Sequence, residues 1–486
     1  MYKYFIDQFQ SSNRDDNQLY GIRAISCFLV ILIHTFHFAQ NHVIGIHPFV
    51  MNYVQNFEFI MDIFFLMSAY LVSASFLKDY SKNGLSASWK NFALKRSFRI
   101  FPLFLFVLFL YIVSWRFSLE IASKAGTLTS EQIEYGNSMA WYSDLFYISN
   151  YFENRLMSHG WSLSLEEQFY LILPILLFVL SKTKKFHHRI PTLVLLFLIL
   201  GIVIRGIIFS TENIFDFASY KKQIFEPTHS RFEPFILGTF LAIARLNKIQ
   251  LFINRIPQIK IGLIITALIL LAFNSFSIEE IPLLFYAIRI TVFSLFSYFL
   301  IYFTLENQNN NLFKTILSNK FFVPIGKLSY GIYLLHFPIV VLIMNKFRAK
   351  ANITEFGYLD LILCSVLSFA VTFLLANVTY ILIEKPFIRI REWTQLRFDI
   401  SKNVFYTTNI NKAELTIVIF LLNILFFLPF LCSLALLKVN FFFGSAGKLI
   451  SYSLLVAPIV AQIYHLIRYK KSYFRYIILK YQTEKT

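Results

Sequence analysis

Cysteine is nearly absent from this chain. The three among 486 residues, Cys27, Cys364 and Cys432, all fall in apolar runs. That excludes a disulfide framework. No His/Cys set has metal-ligand spacing either, so no metal is expected. No P-loop, Rossmann glycine pattern or G-x-S-x-G nucleophile elbow occurs, which leaves the common nucleotide folds and serine hydrolases without their signatures. There is no internal repeat and no low-complexity tract. A cleavable leader is not expected, because the polar N-terminal tail runs into a long helix without a small-residue cleavage site. The first helix is expected to act as an uncleaved signal anchor. The longest non-spanning stretch, 118–161, is too short for an independent catalytic domain. Any chemistry must lie in the helices and their loops.

What is present is apolar. Hydrophobic residues make up 57% of the chain, Phe alone numbers 58, and mean hydropathy is +0.59. Apolar runs of about 20 residues recur, which is the length an α-helix needs to cross a bilayer. The fold class is therefore all-α, a polytopic transmembrane bundle. We expect twelve spans near 21–40, 57–77, 100–117, 162–181, 192–210, 232–246, 259–275, 281–303, 327–345, 358–383, 414–437 and 443–467. The net charge of +18 does not indicate nucleic acid, since in such proteins Lys and Arg collect in cytoplasmic loops. Connection 41–56 has no Lys or Arg, whereas 78–99 holds six, and 182–191 and 384–413 are also basic. Both termini are then expected on the cytoplasmic side.

The first span, GIRAISCFLVILIHTFHFAQ, carries Arg23 and His34. Eleven residues along a helix place them about 16 Å apart and only about 20° apart around the axis. Ionisable groups within a membrane cost a few kcal/mol each, so such a stripe points to function. Arg96 and Arg99 end the first basic loop, three residues apart and on one helix face. Paired guanidinium forks suit phosphate oxygens. Glu58 and Asp62 share a face at the outer end of the second span. Glu166 and Glu167 stand just inside the fourth, with Ser162 one turn before Glu166. A buried carboxylate beside an imidazole can orient it and stabilise its protonated form. Ser329, Tyr333 and His336 form a polar stripe on the ninth span, and Arg205, Arg231 and Arg289 fall in or beside others. An aqueous cavity open to the outer side is the simplest expectation from so many polar groups.

Several of these segments resemble the acyltransferase-3 family of integral membrane acyltransferases. Arg23 and His34, with ten residues between, match its first-helix Arg/His pair. MDIFFLMSAYL resembles its VDLFFVLSGYL segment, with Ala69 in place of glycine. KRSFRIFPL matches its RxxR-aromatic-Pro segment. HGWSLSLEEQFYLILP is close to WSLSVEEQFYL, the most specific of the set. SRFEPFILGTFLA is similar to an Arg-to-Gly segment, with Pro234 as a departure. GKLSYGIYLLHFPI resembles GRISYSIYLLHWPI, and IEKPFIRI the closing EKPF. The matches run in the family's order from about residue 18 to 392.

The resemblance implies a ten-helix core over 1–392. Residues 393–486 would then add a basic cytoplasmic linker, two further spans and a basic tail. It implies an acyl-coenzyme A donor, commonly acetyl-CoA, and O-acylation of a surface glycan such as lipopolysaccharide O-antigen, or of a lipid-linked sugar, at the bacterial inner membrane. It makes His34 the catalytic histidine with Arg23 its motif partner, Glu166 the signature acid, and Arg96 with Arg99 the donor-binding pair. Glu58, Asp62, Ser162, Glu167, Arg231, Ser329, Tyr333 and His336 are the expected acceptor or supporting polar groups. No appended SGNH-hydrolase-like domain is expected. The last two helices have three candidate roles: closing the bundle, binding a partner, or forming a homodimer face. Twelve helices and a polar outer half also suit a transporter or flippase. The lack of an internal repeat counts against that reading, and acyl-CoA binding discriminates.

Overall fold

The computed structural model describes residues 9, 17–39, 50, 53–54, 56–181, 186–212, 214, 217–247, 256–274, 282–306, 312–351, 355–398 and 418. The described elements are helical, with no strand among them. The chain divides into two compact units. The larger comprises Gln8–Ala93 and Ala140–Asn377, and the smaller comprises Met1–Asp7, Leu94–Met139 and Val378–Thr486.

The long helices are α1 (Asn17–Ala39), α2 (Met61–Lys124), α3 (Gly160–Ser181), α4 (Phe186–Thr211), α5 (Glu233–Leu246), α6 (Ile256–Asn274), α7 (Pro282–Glu306), α8 (Ser329–Ala351), α9 (Tyr358–Thr379) and α10 (Lys385–Phe398). Among the described residues, eight helices are long and apolar enough to cross a membrane. Their outward faces carry large apolar side chains, such as Leu195, Ile207, Ile264, Leu268, Leu359 and Leu363. In water such stripes would aggregate; in a bilayer they face lipid while the helix satisfies its own backbone. The protein is a polytopic helical membrane protein.

Two expected boundaries change. The second and third spans belong to one 64-residue helix, α2, interrupted at Gly84 with φ +74°. That left-handed conformation is one that glycine adopts without penalty, and the Ser88 hydroxyl donates to the Gly84 carbonyl at 2.7 Å. The expected sixth span is α5, with 14 residues. At 1.5 Å per residue it covers about 21 Å, short of a hydrocarbon core of about 30 Å. It is buried along nearly its whole length instead. Apart from Val418, the expected spans at 414–437 and 443–467 lie outside the described residues.

In the larger unit α1 packs against α8 and the short helix Phe322–Lys327, and α7 packs against α4, α5 and α6. Close backbone approach sets this packing. A Cβ on Gly238 of α5 would stand 2.3 Å from the Leu66 carbonyl oxygen of α2. Small residues at such crossings let helices meet without a side chain between them. The α2–α5 contact holds the start of α2, and with it Asp62, against the segment that carries Arg231.

Candidate active site

His34 lies on an uninterrupted α1, so the helical spacing from Arg23 holds. The ring is half-buried and sits among other rings. Its centroid is 5.0 Å from that of His336, 5.4 Å from Phe337 and 6.3 Å from His37. His159, directly before α3, is 5.2 Å from His336 and 5.5 Å from Tyr333. The sequence stripe on α8 thus faces α1 and the entry to α3.

The cluster is held by a short polar relay. The Ser162 and Tyr333 hydroxyls hydrogen-bond each other and both lie within reach of the His159 carbonyl, at 3.1 and 3.0 Å. His336 Nδ1 lies 2.5 Å from the Tyr333 carbonyl. A carbonyl only accepts, so the hydrogen belongs on Nδ1, which leaves a lone pair on Nε2. His336 is fully buried, and its Nε2 has no hydrogen-bond partner among the described residues. Burial, with the His336 ring beside it, holds the His159 imidazole well below its ordinary range, because low dielectric disfavours the cation. Ser329 is buried at the start of α8, where its carbonyl receives the Cys27 thiol at 4.0 Å. Arg23 Nε donates to Met67 Sδ at 3.1 Å.

Glu166 is not where orientation of His34 would need it. Among the described residues, the titratable groups that bear on His34 are His336, His37, Lys221 and His159. Glu166 instead accepts from the Ser68 and Tyr170 hydroxyls. Tyr170 is one turn further along α3, and Ser68 belongs to α2. The pairing of Glu166 with the His34 imidazole anticipated from sequence is therefore corrected. Glu167 acts on the buried Tyr147 hydroxyl, whose proton affinity rises through burial and that charge. The Glu58 side chain lies outside the described residues.

The expected aqueous cavity lined by acids and arginines is also corrected. Asp62 and Arg231 are fully buried and form an ion pair, with Arg231 Nε and Nη2 at 2.9 and 2.8 Å from Asp62 Oδ1. Around the guanidinium stand the rings of Phe225, Phe59, Trp161 and Phe65, at 3.9 to 5.8 Å. Arg205 pairs with Glu233 at 2.6 Å and donates to the Ala287 and Ser230 carbonyls and to Thr291. These charges neutralise one another away from water, which is the condition under which buried charge is tolerated. The cavity beside them, of about 410 Å³, is lined by Ile22, Leu29, Ile60, Phe293 and other apolar side chains.

The smaller unit contains Arg96 and Arg99. Arg99 Nη1 is 3.3 Å from the buried carboxylate of Glu384, the acid of the IEKPF segment. Phe98 and Phe387 pack at 6.3 Å in the same unit.

A profile described as Acyltransferase domain matches residues 16–381. The chain belongs to this acyltransferase family. It is 27% identical over 338 residues to the O-acetyltransferase OatA of Staphylococcus aureus, covering 67% of this chain and 52% of that protein. It is likewise 27% identical over 374 residues to the putative peptidoglycan O-acetyltransferase YrhL of Bacillus subtilis, covering 75% of this chain and 54% of the other. The chain thus spans about half the length of these relatives. No solved structure matches it.

The matched region includes every residue singled out above except Glu384 and Phe387. Sequence reasoning missed several members of these networks, His159, Glu233 and Lys221 among them. His159 directly precedes the WSLSLEE segment, and Glu233 stands two residues after Arg231. Both were visible as polar residues beside apolar runs. Lys221 gave no such signal, because only folding brings it to His34.

Proposed function

We propose that this family member is a membrane O-acetyltransferase that moves an acetyl group from cytoplasmic acetyl-CoA to a glycan hydroxyl outside the inner membrane. The observation that carries this reading is His34. It is a half-buried imidazole on a membrane-spanning helix, flanked by His336 and Phe337. Such a group is suited to accept a proton. In the transfer, the acceptor oxygen bonds to the acyl carbon and the carbon–sulfur bond breaks. The hydroxyl proton passes through His34 to the departing thiolate. An acyl-histidine relay uses the same atoms in two steps. Arg96 and Arg99 provide cations for the donor's phosphates.

The Bacillus relative is named for peptidoglycan, so peptidoglycan replaces O-antigen as the first acceptor to test. The assay is transfer of labelled acetyl from acetyl-CoA to purified glycan by the full chain in lipid nanodiscs. His34→Ala should abolish transfer while the protein stays folded and monodisperse, and retained transfer would reject the assignment. Calorimetric binding of acetyl-CoA separates this reading from a transporter, which needs no donor.

A further inference from the structure

The segment between Trp141 and His159, in the larger unit, is built more firmly than a connecting loop requires. Asp144 accepts from the backbone N–H of Leu156 and Met157 at 3.0 and 3.1 Å. Arg155 forks onto Glu226 at 2.5 and 2.7 Å. Gln168 donates to the Tyr147 carbonyl at 2.8 Å and to Asn150 at 2.9 Å, and Asn150 reaches Thr228 at 3.0 Å. Within this frame Tyr147 has φ +54°, the only positive φ of a non-glycine among the described residues. That conformation costs free energy for an L-residue and persists only where the surroundings enforce it.

The frame turns Tyr147 inward and large rings outward. Phe146 is 67% exposed, Tyr151 50%, Tyr142 44% and Trp141 37%. Tyr151 is stacked on His229 at 6.1 Å and 15°. Tyr142 and Trp141 pack edge to face at 6.4 Å. A polar rim adjoins them, including the exposed Lys222–Glu153 pair at 2.7 Å.

The same segment leads to the candidate active site. Its last residue, His159, touches His336, which touches His34. Lys221, which acts on His34, lies 3.9 Å from Glu226, the partner of Arg155. We propose that Trp141, Tyr142, Phe146 and Tyr151 form a docking platform on which a glycan chain lies, so that one of its hydroxyls is presented towards His34. A pyranose ring offers an apolar C–H face to an aromatic ring and hydroxyls to a polar rim. Rigid aromatic side chains bind at small entropic cost. An aromatic belt at the membrane interface is the competing occupant. A belt needs rings at headgroup depth but has no use for an enforced φ or a network of side-chain hydrogen bonds. This inference rests on the acetyl-transfer reading for its purpose, but not for its binding test.

The test uses the full chain in nanodiscs, with chitin oligosaccharide and a soluble peptidoglycan digest as probes. Binding is followed by calorimetry and by tryptophan fluorescence. Phe146→Ala and Tyr151→Ala should each weaken binding about ten-fold, the size of a strong contact truncation, and Phe146→Tyr should restore it. In acetylation, the acceptor KM should rise in the alanine variants while kcat and the acetyl-CoA KM stay unchanged. Three results overturn the platform: neither glycan binds the wild type, the alanine variants bind as well as wild type, or brominated lipids quench a fluorescence component that Trp141→Phe removes. If binding falls as stated but no glycan is ever acetylated, the platform stands and the acetyl-transfer reading fails. If acetylation proceeds with unchanged acceptor KM, the reading stands and the platform fails.

Discussion

The buried pair of Asp62 and Arg231 gives the sharpest energetic prediction. Neither side chain is exposed, and Arg231 reaches the carboxylate through two nitrogens at 2.9 and 2.8 Å. In Asp62→Leu the guanidinium keeps the Phe225 carbonyl at 3.2 Å and the Phe225 ring face at 3.9 Å, but loses its counter-charge. Removing one partner of a buried ion pair costs about 3–5 kcal/mol, because the remaining charge is left without compensation. The retained carbonyl and ring favour the lower end, about 3 kcal/mol. Arg231→Met should cost a similar amount by stranding Asp62, whose remaining contact is Ser294 at 3.5 Å. The double variant Asp62→Leu/Arg231→Met replaces the pair with apolar groups and should fall within about 1 kcal/mol of wild type. The coupling between the two sites would then be about 5 kcal/mol, far outside simple additivity. Denaturant unfolding in detergent, followed by tryptophan fluorescence, measures all four proteins. Trp161 lies 5.3 Å from the guanidinium and reports on the site directly. Additive losses, or a double variant no better than the singles, would refute the argument that this charge is held by pairing.

Arg99→Ala should both weaken acetyl-CoA binding and lower the melting temperature, since it strands the buried Glu384; Arg96→Ala should weaken acetyl-CoA binding in the same assay. Tyr333→Phe removes the hydroxyl that links Ser162 to the His159 carbonyl, and should cost about 1 kcal/mol, read as a lower melting temperature. Asp144 is a buried acid whose pKa is pushed up from 3.8 to about 6, by burial that outweighs its backbone hydrogen bonds. The folded state then holds more protons than the unfolded state between those values. Stability should therefore fall as pH rises through that window, by up to about 3 kcal/mol. A series of melts from pH 4 to 7 should show the loss, and Asp144→Asn should flatten it.

Hydropathy in the sequence was enough for the all-α membrane class, because a bilayer requires long apolar helices that satisfy their own backbone. It also singled out His34, Arg23 and the Ser329–Tyr333–His336 stripe, since helical periodicity fixes which residues share a face of one helix. Charged residues in apolar runs were legible as costly for the same reason. Which of them meet was not legible. Glu166 turned to Ser68 and Tyr170 rather than to His34. Asp62 and Arg231, 169 positions apart, proved to be a dry pair rather than cavity lining. Lys221, at the start of the helical turn Lys221–Phe225, and His159, which meets His336, joined the His34 cluster with no periodic signal. The physical reason is that periodicity is a property of one helix, whereas partners are chosen where helices cross. Those crossings depend on close approaches such as Gly238 against Leu66, and they exist only in the tertiary structure.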